Sequence, residues 1–151
     1  MSQTIFIEES NFDKARKKIK QFQKEKIVFS SPDDAIARKV LEKEKINILL
    51  IKQKNRKDKL KQRDSGLDSV MVKIAKKNDI EIGIFLDEII ESAEKERAEI
   101  LARIKQNIKL CSKNKIKMKF LFLEEEHHRN DYDLRSLGLI LGMPTWMTSS
   151  L

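Results

Sequence analysis

Residues 46–51 read INILLI, a run of six in which only Asn47 is polar. A strand reads this way when helices cover both of its faces, as they do in a parallel sheet. Four other short apolar runs predict strands at Thr4–Ile7, Lys26–Phe29, Ile80–Leu86 and Lys117–Leu123. Segments with helical spacing separate these runs. The alternation predicts an α/β fold with a parallel sheet of about five strand-helix units.

The helix starts and stops support the same alternation. Ser31-Pro32-Asp33-Asp34 combines a hydroxyl cap, a proline at the first helical position and acids that favour the helix dipole. The longest predicted helix runs from about Ala93 to Ser112, and the last from Tyr132 to Leu141. Gly142 stands where a left-handed residue should end that helix, so residues 144–151 are expected to form a flexible tail.

Chain length limits the architecture. The predicted units occupy all 151 residues, whereas a closed eight-fold barrel typically needs about 250. We therefore expect residues 1–151 to form a single α/β domain whose sheet is open or is an incomplete, minimal TIM-type barrel. The loops at the carboxyl ends of its strands are the natural functional edge.

Composition narrows the class of protein. The chain has 40% hydrophobic and 37% charged residues, one cysteine and a formal net charge of +8. We expect a soluble cytoplasmic protein without a membrane span, in which Cys111 is a small core residue. The basic balance makes nucleic-acid binding a hypothesis, with a merely solvated basic surface as the alternative.

The clearest basic feature is a linker at residues 52–64, which reads KQKNRKDKLKQRD and carries seven basic residues against two acids. Flexible cations in a polar loop can neutralise phosphates and release condensed counterions, so the linker is a candidate RNA-binding segment. A solvated loop is the alternative. The candidate residues are Lys52, Lys54, Arg56, Lys57, Lys59, Lys61 and Arg63.

A second candidate lies after the last predicted strand. Arg129 stands between that strand and a helix start, where backbone N–H groups and the helix dipole also favour a phosphate. An ion pair with a neighbouring acid is the alternative role. His128 and Arg135 complete the candidate RNA-binding set in this region.

No catalytic constellation is evident in the sequence. The two histidines, His127 and His128, are adjacent, and adjacent side chains diverge unless the loop is specially bent. They offer at most one comfortable metal ligand beside Glu124–Glu126. The four glycines form no phosphate-binding loop, and Cys111 has no histidine near it in sequence. We therefore expect no catalytic residue, no metal and no cofactor.

The C-terminal part of the sequence resembles a known family. The stretch Arg129–Met143 resembles the C-terminal signature of the ribonuclease P protein component 3 family, the thirty-kilodalton subunit of the archaeal and eukaryotic enzymes. The matching positions are Arg129, Asp133, Leu137, Gly138 and Gly142. Asp131 occupies the proline position of the signature and can cap the helix in its place. Upstream, Ser65-Gly66-Leu67-Asp68 resembles the family's turn after a strand, with Ser69 where members often have histidine.

The resemblance implies a non-catalytic, RNA-binding subunit. Such a protein helps a catalytic RNA to remove the 5′ leader of precursor tRNA, and its partners are that RNA, the precursor and another protein subunit. Members complete an eight-fold barrel of the polymerase-and-histidinol-phosphatase (PHP) type, and this chain looks like a shortened member. Two alternatives stay open: a metal-dependent phosphoesterase of the PHP type, and a plain protein-interaction module.

Overall fold

The structure is a computed structural model that describes residues 3–58 and 60–151, and those residues form a five-stranded sheet. All four strand pairs are parallel, and the strands lie across the sheet in chain order. The strands are β1 (Thr4–Glu8), β2 (Lys26–Ser30), β3 (Ile48–Ile51), β4 (Glu81–Phe85) and β5 (Met118–Leu121). The predicted α/β class and its five parallel strands are confirmed.

Helices follow each strand. They are α1 (Phe12–Gln21), α2 (Asp34–Lys43), α3 (Ser69–Lys77), α4 (Leu86–Glu91), α5 (Glu94–Lys113), α6 (Asp131–Ile140) and α7 (Thr145–Thr148), with a short 3-10 helix at Glu125–His127. In the part of the chain that the structure describes, no helix is long and apolar enough to cross a membrane.

The sheet buries its two faces in different ways. Alternate strand residues such as Phe29, Leu49 and Ile51 belong to the main core, which also takes in the apolar faces of the helices. Val28, Ile48 and Leu50 point to the other face, where their hydrophobic neighbours among residues 3–58 and 60–151 are the strand residues Phe85 and Leu121. The expectation that helices cover both faces of the INILLI run is therefore wrong. Helices cover one face, and the other is the concave interior of an incomplete TIM-type barrel.

Three helices end in the same left-handed turn. The residues after α3, α5 and α6 with positive φ are Asp79, Lys115 and Gly142. In each case the next residue donates its N–H to a carbonyl five residues earlier, as in Ile80 N to Ala75 O and Ile116 N to Cys111 O, both 2.9 Å. This Schellman motif satisfies carbonyls that the helix leaves unpaired. The predicted role of Gly142 is confirmed.

The helix starts differ in detail from the sequence expectation. The cap of α2 is Asp33, whose Oδ1 accepts from Ala35 N at 2.9 Å, and Pro32 lies before the helix. The cap of α6 is Asn130, whose side chain accepts from Asp133 N at 2.9 Å, and Asp131 is the first helical residue. Asn and Asp both cap well, so neighbouring candidates compete and the sequence alone does not rank them.

The C-terminal segment is packed, which differs from the flexible tail expected at 144–151. Met147 is fully buried and Trp146 packs against the core. A Cβ placed on Gly138 of α6 would lie 2.8 Å from Met143 Sδ and 3.1 Å from Thr148 Cγ2. Gly138 therefore lets α7 approach α6 closely, a packing reason that the sequence signature did not reveal.

Candidate nucleic-acid interface

The linker begins at the carboxyl end of β3 and is attached to the fold by a buried carboxylate. Glu88, at 4% exposure, accepts hydrogen bonds from Gln53 N at 2.6 Å and from Lys54 N at 3.0 Å. Burial raises the pKa of Glu88, and the two backbone donors oppose that shift. The side chain thus satisfies two backbone N–H groups at the start of the linker.

An arginine from α5 holds the middle of the linker. Arg103 is also 4% exposed. It donates to Gln53 O at 3.3 Å, to Arg56 O at 2.8 Å and to Asp58 Oδ1 at 3.1 Å. The planar guanidinium can reach three acceptors at once, which a lysine cannot do with the same geometry. The linker has few apolar side chains that could anchor it to the core, and the hydrogen bonds of Arg103 anchor it instead.

Amide side chains attach the end of the linker. Gln53 Nε2 donates to Ser65 O at 2.8 Å, and Asn107 Nδ2 donates to the same oxygen at 3.1 Å. Both amides are almost completely buried. Asp58 Oδ1 accepts from Asp64 N at 3.0 Å and closes the loop on itself. Buried polar side chains at both ends and in the middle thus order the linker around α5.

Arg56 is part of this internal structure. Its Nη1 and Nη2 donate to the two carboxylate oxygens of Asp34 at 2.8 and 3.0 Å, and its Nε donates to Lys52 O at 2.8 Å. The side chain is only 14% exposed. Gly66 has a φ of +77°, and a Cβ there would lie 2.5 Å from Arg56 Nη2. The guanidinium therefore occupies space that a residue larger than glycine would fill.

The other predicted linker cations have different environments. Lys52 Nζ lies 3.0 Å from Glu8 Oε1 and 5.0 Å from the centre of the Phe85 ring. Four side chains are exposed and make no ion pair among residues 3–58 and 60–151: Lys54, Lys57, Lys61 and Arg63. Lys59 lies outside the described residues.

The loop after β5 is attached to α4 by a buried pair. Asp87 Oδ2 accepts from Leu123 N at 3.0 Å and from Glu124 N at 3.2 Å, while its Oδ1 lies 2.8 Å from His127 Nδ1. His127 is 5% exposed. His128 is exposed, and its ring meets Phe122 edge-on with centroids 5.3 Å apart. The two histidines diverge, as predicted for adjacent residues, and they have separate surroundings.

The predicted cations near this loop are not ion-paired to its acids. Arg129 Nη1 donates to Glu126 O at 3.1 Å and to His128 O at 2.9 Å, so backbone carbonyls hold it. Arg135 is half-buried, and its Nε has no hydrogen-bond partner in the part of the chain that the structure describes. Within the same residues, no three His, Cys, Asp or Glu side chains are grouped so that they could hold a metal ion.

The carboxyl edge of the sheet is more acidic than the linker alone suggests. The other segments that follow its strands, at 9–11, 31–33, 86–93 and 122–130, include α4 and the 3-10 helix. They contain eight acids, and Arg129 is their one Lys or Arg. The linker cations thus stand among carboxylates, and two of them, Lys52 and Arg56, already pair with Glu8 and Asp34.

Sequence reasoning missed the buried residues that shape this surface. Glu88, Arg103 and Asn107 bond to linker groups that lie 34 to 50 residues away in the chain. One signal was available. Arg103 and Asn107 lie four residues apart, close to the apolar stripe formed by Ile100, Ile104 and Ile108. A polar residue that faces the core needs a buried partner.

The fold has a counterpart among solved structures. No protein-family model matches the sequence. The chain is similar to a chain in a cryo-EM structure of archaeal ribonuclease P with mature tRNA, with a TM-score of 0.78 and 23% sequence identity. The match covers 97% of this chain and 65% of that one. At this identity the likeness establishes a shared fold, and almost the whole of this chain takes part in it.

Proposed function

We propose that this chain is a non-catalytic, RNA-binding protein subunit of an archaeal-type ribonuclease P, which assists RNA-catalysed removal of 5′ leaders from precursor tRNA. The observation that carries the proposal is the likeness, over 97% of the chain, to a chain of archaeal ribonuclease P with tRNA. The resemblance of Arg129–Met143 to the component 3 signature supports the finer assignment, because it rests on residue identities and does not depend on the fold.

The proposed RNA contacts are cations of the carboxyl edge. Four of them are exposed on the described part of the linker: Lys54, Lys57, Lys61 and Arg63. Arg129 is half-buried, is held by backbone carbonyls and makes no ion pair among residues 3–58 and 60–151. Lys59, His128 and Arg135 belong to the same proposed set. Lys52 pairs with Glu8, and Arg56 pairs with Asp34. The main proposed role of these two cations is therefore to stabilise the conformation of the linker.

Such a surface assists an RNA catalyst by supplying fixed positive charge. Phosphates that approach one another when an RNA folds repel, and protein cations can replace part of the divalent ions that otherwise screen them. Helical RNA is recognised through its backbone and shape, for which lysines on an ordered loop are sufficient. The proposed partners are ribonuclease P RNA, precursor tRNA and another protein subunit, in the cytoplasm.

Reconstitution tests the proposal. The chain is added to an archaeal ribonuclease P RNA with its other protein subunits, and 5′ maturation of precursor tRNA is measured as magnesium is lowered. We expect the chain to lower the magnesium concentration that gives half-maximal cleavage. No effect on cleavage, together with no RNA binding at moderate salt, contradicts the proposal.

Matched variants localise the effect. Replacing Lys54, Lys57 and Lys61 by glutamine should raise the magnesium requirement, because exposed phosphate contacts are lost. The control replaces Lys14, Lys17 and Lys73, which are exposed on α1 and α3. Cleavage of phosphoesters by the chain alone, dependent on an added metal and lost in His127→Ala, would instead favour the phosphoesterase alternative.

A further inference from the structure

The opposite edge of the sheet carries a second set of cations. Four turns lead from a helix into a strand, at residues 22–26, 43–47, 76–80 and 113–117, and they read FQKEK, KEKIN, KKNDI and KNKIK. Together they contain nine lysines and three acids. Because all five strands are parallel, the four turns lie at one edge, the amino edge. Adjacent strands are about 4.8 Å apart, so the lysines form a row roughly 15 Å long.

The lysines of the amino edge are exposed and available. All nine are exposed, and none lies within 4.0 Å of a carboxylate among residues 3–58 and 60–151. Two of the three local acids are already engaged. Glu25 accepts from Gln3 N, and Glu44 lies 3.1 Å from Arg16 Nε. Lys76 Nζ donates to Lys115 O at 3.1 Å, a neutral acceptor that does not cancel its charge. The positive charge of this edge is therefore not paired with a carboxylate within the part of the chain that the structure describes.

Helix dipoles explain only part of this accumulation. A lysine in the last turn of a helix is favoured by the negative end of the dipole, which accounts for Lys43, Lys76, Lys77 and Lys113. The effect falls off within the last turn. Lys26, Lys45 and Lys117 lie beyond the helix ends, and they point to a role outside the fold.

The chemistry of the edge favours a phosphate backbone over a protein surface or a membrane. No large hydrophobic side chain in the four turns is exposed among the described residues. Protein interfaces are depleted of lysine at their centres and enriched in aromatic residues, and interfacial membrane binding also needs apolar side chains. Lys115 Nζ lies 5.6 Å from the centre of the half-buried Trp146 ring. A row of lysines whose own turns expose no large apolar side chain among the described residues is what a polyanion binds. A recess of about 480 Å³ lies between the first two turns, and three lysines and one acid line it together with uncharged residues: Lys24, Lys26, Lys45 and Glu25.

We propose that the amino edge binds the phosphate backbone of a second RNA segment, distinct from the one at the linker. The inference rests on the proposed RNA-binding function and extends it. The two surfaces lie at opposite ends of the strands, so the chain would bridge two RNA segments and hold them at a fixed separation. A scaffold of this kind restricts how an RNA folds without reading its bases.

Salt-dependent RNA binding tests the inference. The amino-edge variant replaces Lys26, Lys45 and Lys117 by glutamine. The control variant replaces Lys14, Lys17 and Lys73, so both lose the same net charge. Binding of each to a labelled 20-base-pair RNA duplex is measured from 50 to 300 mM salt. We expect the amino-edge variant to bind about tenfold or more weakly at 100 mM salt, and its slope of log K against log salt to fall by about 2 to 3.

The outcomes separate this inference from the proposed function. If the wild-type chain binds no RNA, both are overturned. If it binds RNA but the amino-edge variant behaves like wild type, or loses no more affinity than the control, only the second surface is overturned. A variant that also lacks Lys54, Lys57 and Lys61 should lose both surfaces and bind the duplex more weakly than either variant alone. Unchanged melting temperatures establish that each variant is folded.

Discussion

The linker and the amino edge are both rich in lysine, yet the structure uses their charges differently. The linker has few apolar side chains, so Arg56, Asp58 and their partners hold it in place by ion pairs and hydrogen bonds. The amino-edge turns are short, and backbone bonds such as Ile116 N to Cys111 O close two of them. Two linker cations, Lys52 and Arg56, are thus used to hold the segment in place, whereas all the amino-edge lysines are without an ion pair among the described residues. Counting charges along the chain cannot distinguish the two cases.

The largest expected effect comes from removing the arginine that holds the linker. Arg103→Ala removes one donor each from Asp58 Oδ1, Gln53 O and Arg56 O, and should lower the free energy of unfolding by about 3 kcal/mol. Urea denaturation measures this change. Lys105→Ala, on an exposed position of the same helix, is the control and should change it by less than about 0.5 kcal/mol. Equal effects of the two substitutions would show that the linker is not held in this way.

Cys111 can report whether only the linker opens. Burial raises the pKa of its thiol to about 12, so the folded chain should react very slowly with thiol reagents. In native buffer, Arg103→Ala should increase tryptic cleavage after Lys57 and Lys61 while Cys111 stays unreactive. Rapid labelling of Cys111 would mean that the core opens together with the linker.

Removing the carboxylate at the start of the linker should have a smaller effect. Glu88→Ala leaves the N–H groups of Gln53 and Lys54 without acceptors, at a cost of about 2 kcal/mol. Part of this loss is offset, since the raised pKa of Glu88 means that its ionisation already opposes folding at neutral pH. Glu99→Ala, exposed on α5, is the control in the same denaturation experiment.

Lowering the pH should weaken the hydrogen bond that closes the linker but not the backbone hydrogen bonds of the amino-edge turns. The hydrogen bond from Asp64 N, with a smaller contribution from Arg103, holds the pKa of Asp58 below its ordinary value of 3.8. Its contribution to stability is present above 3.8 and is lost as pH falls through the lower folded-state pKa. The exchange protection of the Asp64 amide should decline below pH 3.8, while that of Ile116, bonded to a carbonyl, should persist. Equal behaviour of the two amides would contradict the distinction.

The smallest expected effect on stability is at the amino edge. Replacing Lys26, Lys45 and Lys117 by glutamine should change the free energy of unfolding by no more than about 0.5 kcal/mol, because these exposed lysines make no ion pair among the described residues. Thermal unfolding measures it. A loss comparable with that of Glu88→Ala would mean that these lysines serve the fold.

The fold was largely predictable because the spacing of apolar residues along the chain indicates its strands and helices. The INILLI run, the other four strands and the Gly142 turn follow from patterns within a few residues. The concave face was not predictable, since Ile48 and Leu50 are covered by neighbouring strands and a single strand's pattern does not say what covers it. Cap positions were off by one or two residues, where adjacent polar side chains compete.

The candidate site was less predictable for a different reason. The linker cations were evident from composition, but their partners Glu88 and Arg103 come from α4 and α5, and the groups they bind are mostly backbone atoms. Every residue has a backbone carbonyl, so the sequence does not show which of them accept a side-chain hydrogen bond. The amino edge was overlooked because its lysines are distributed over four turns, and only the strand order brings them together.

The strand order affects how the chain folds and how its sheet could be extended. Each strand pairs only with its predecessor and successor in sequence, so the sheet behaves as a one-dimensional array whose stability is a sum of neighbour terms. Folding can then begin at any adjacent pair and spread outward. The outer sides of β1 and β5 carry no strand within the described residues, so another strand-helix unit could be added at either edge without changing an existing register.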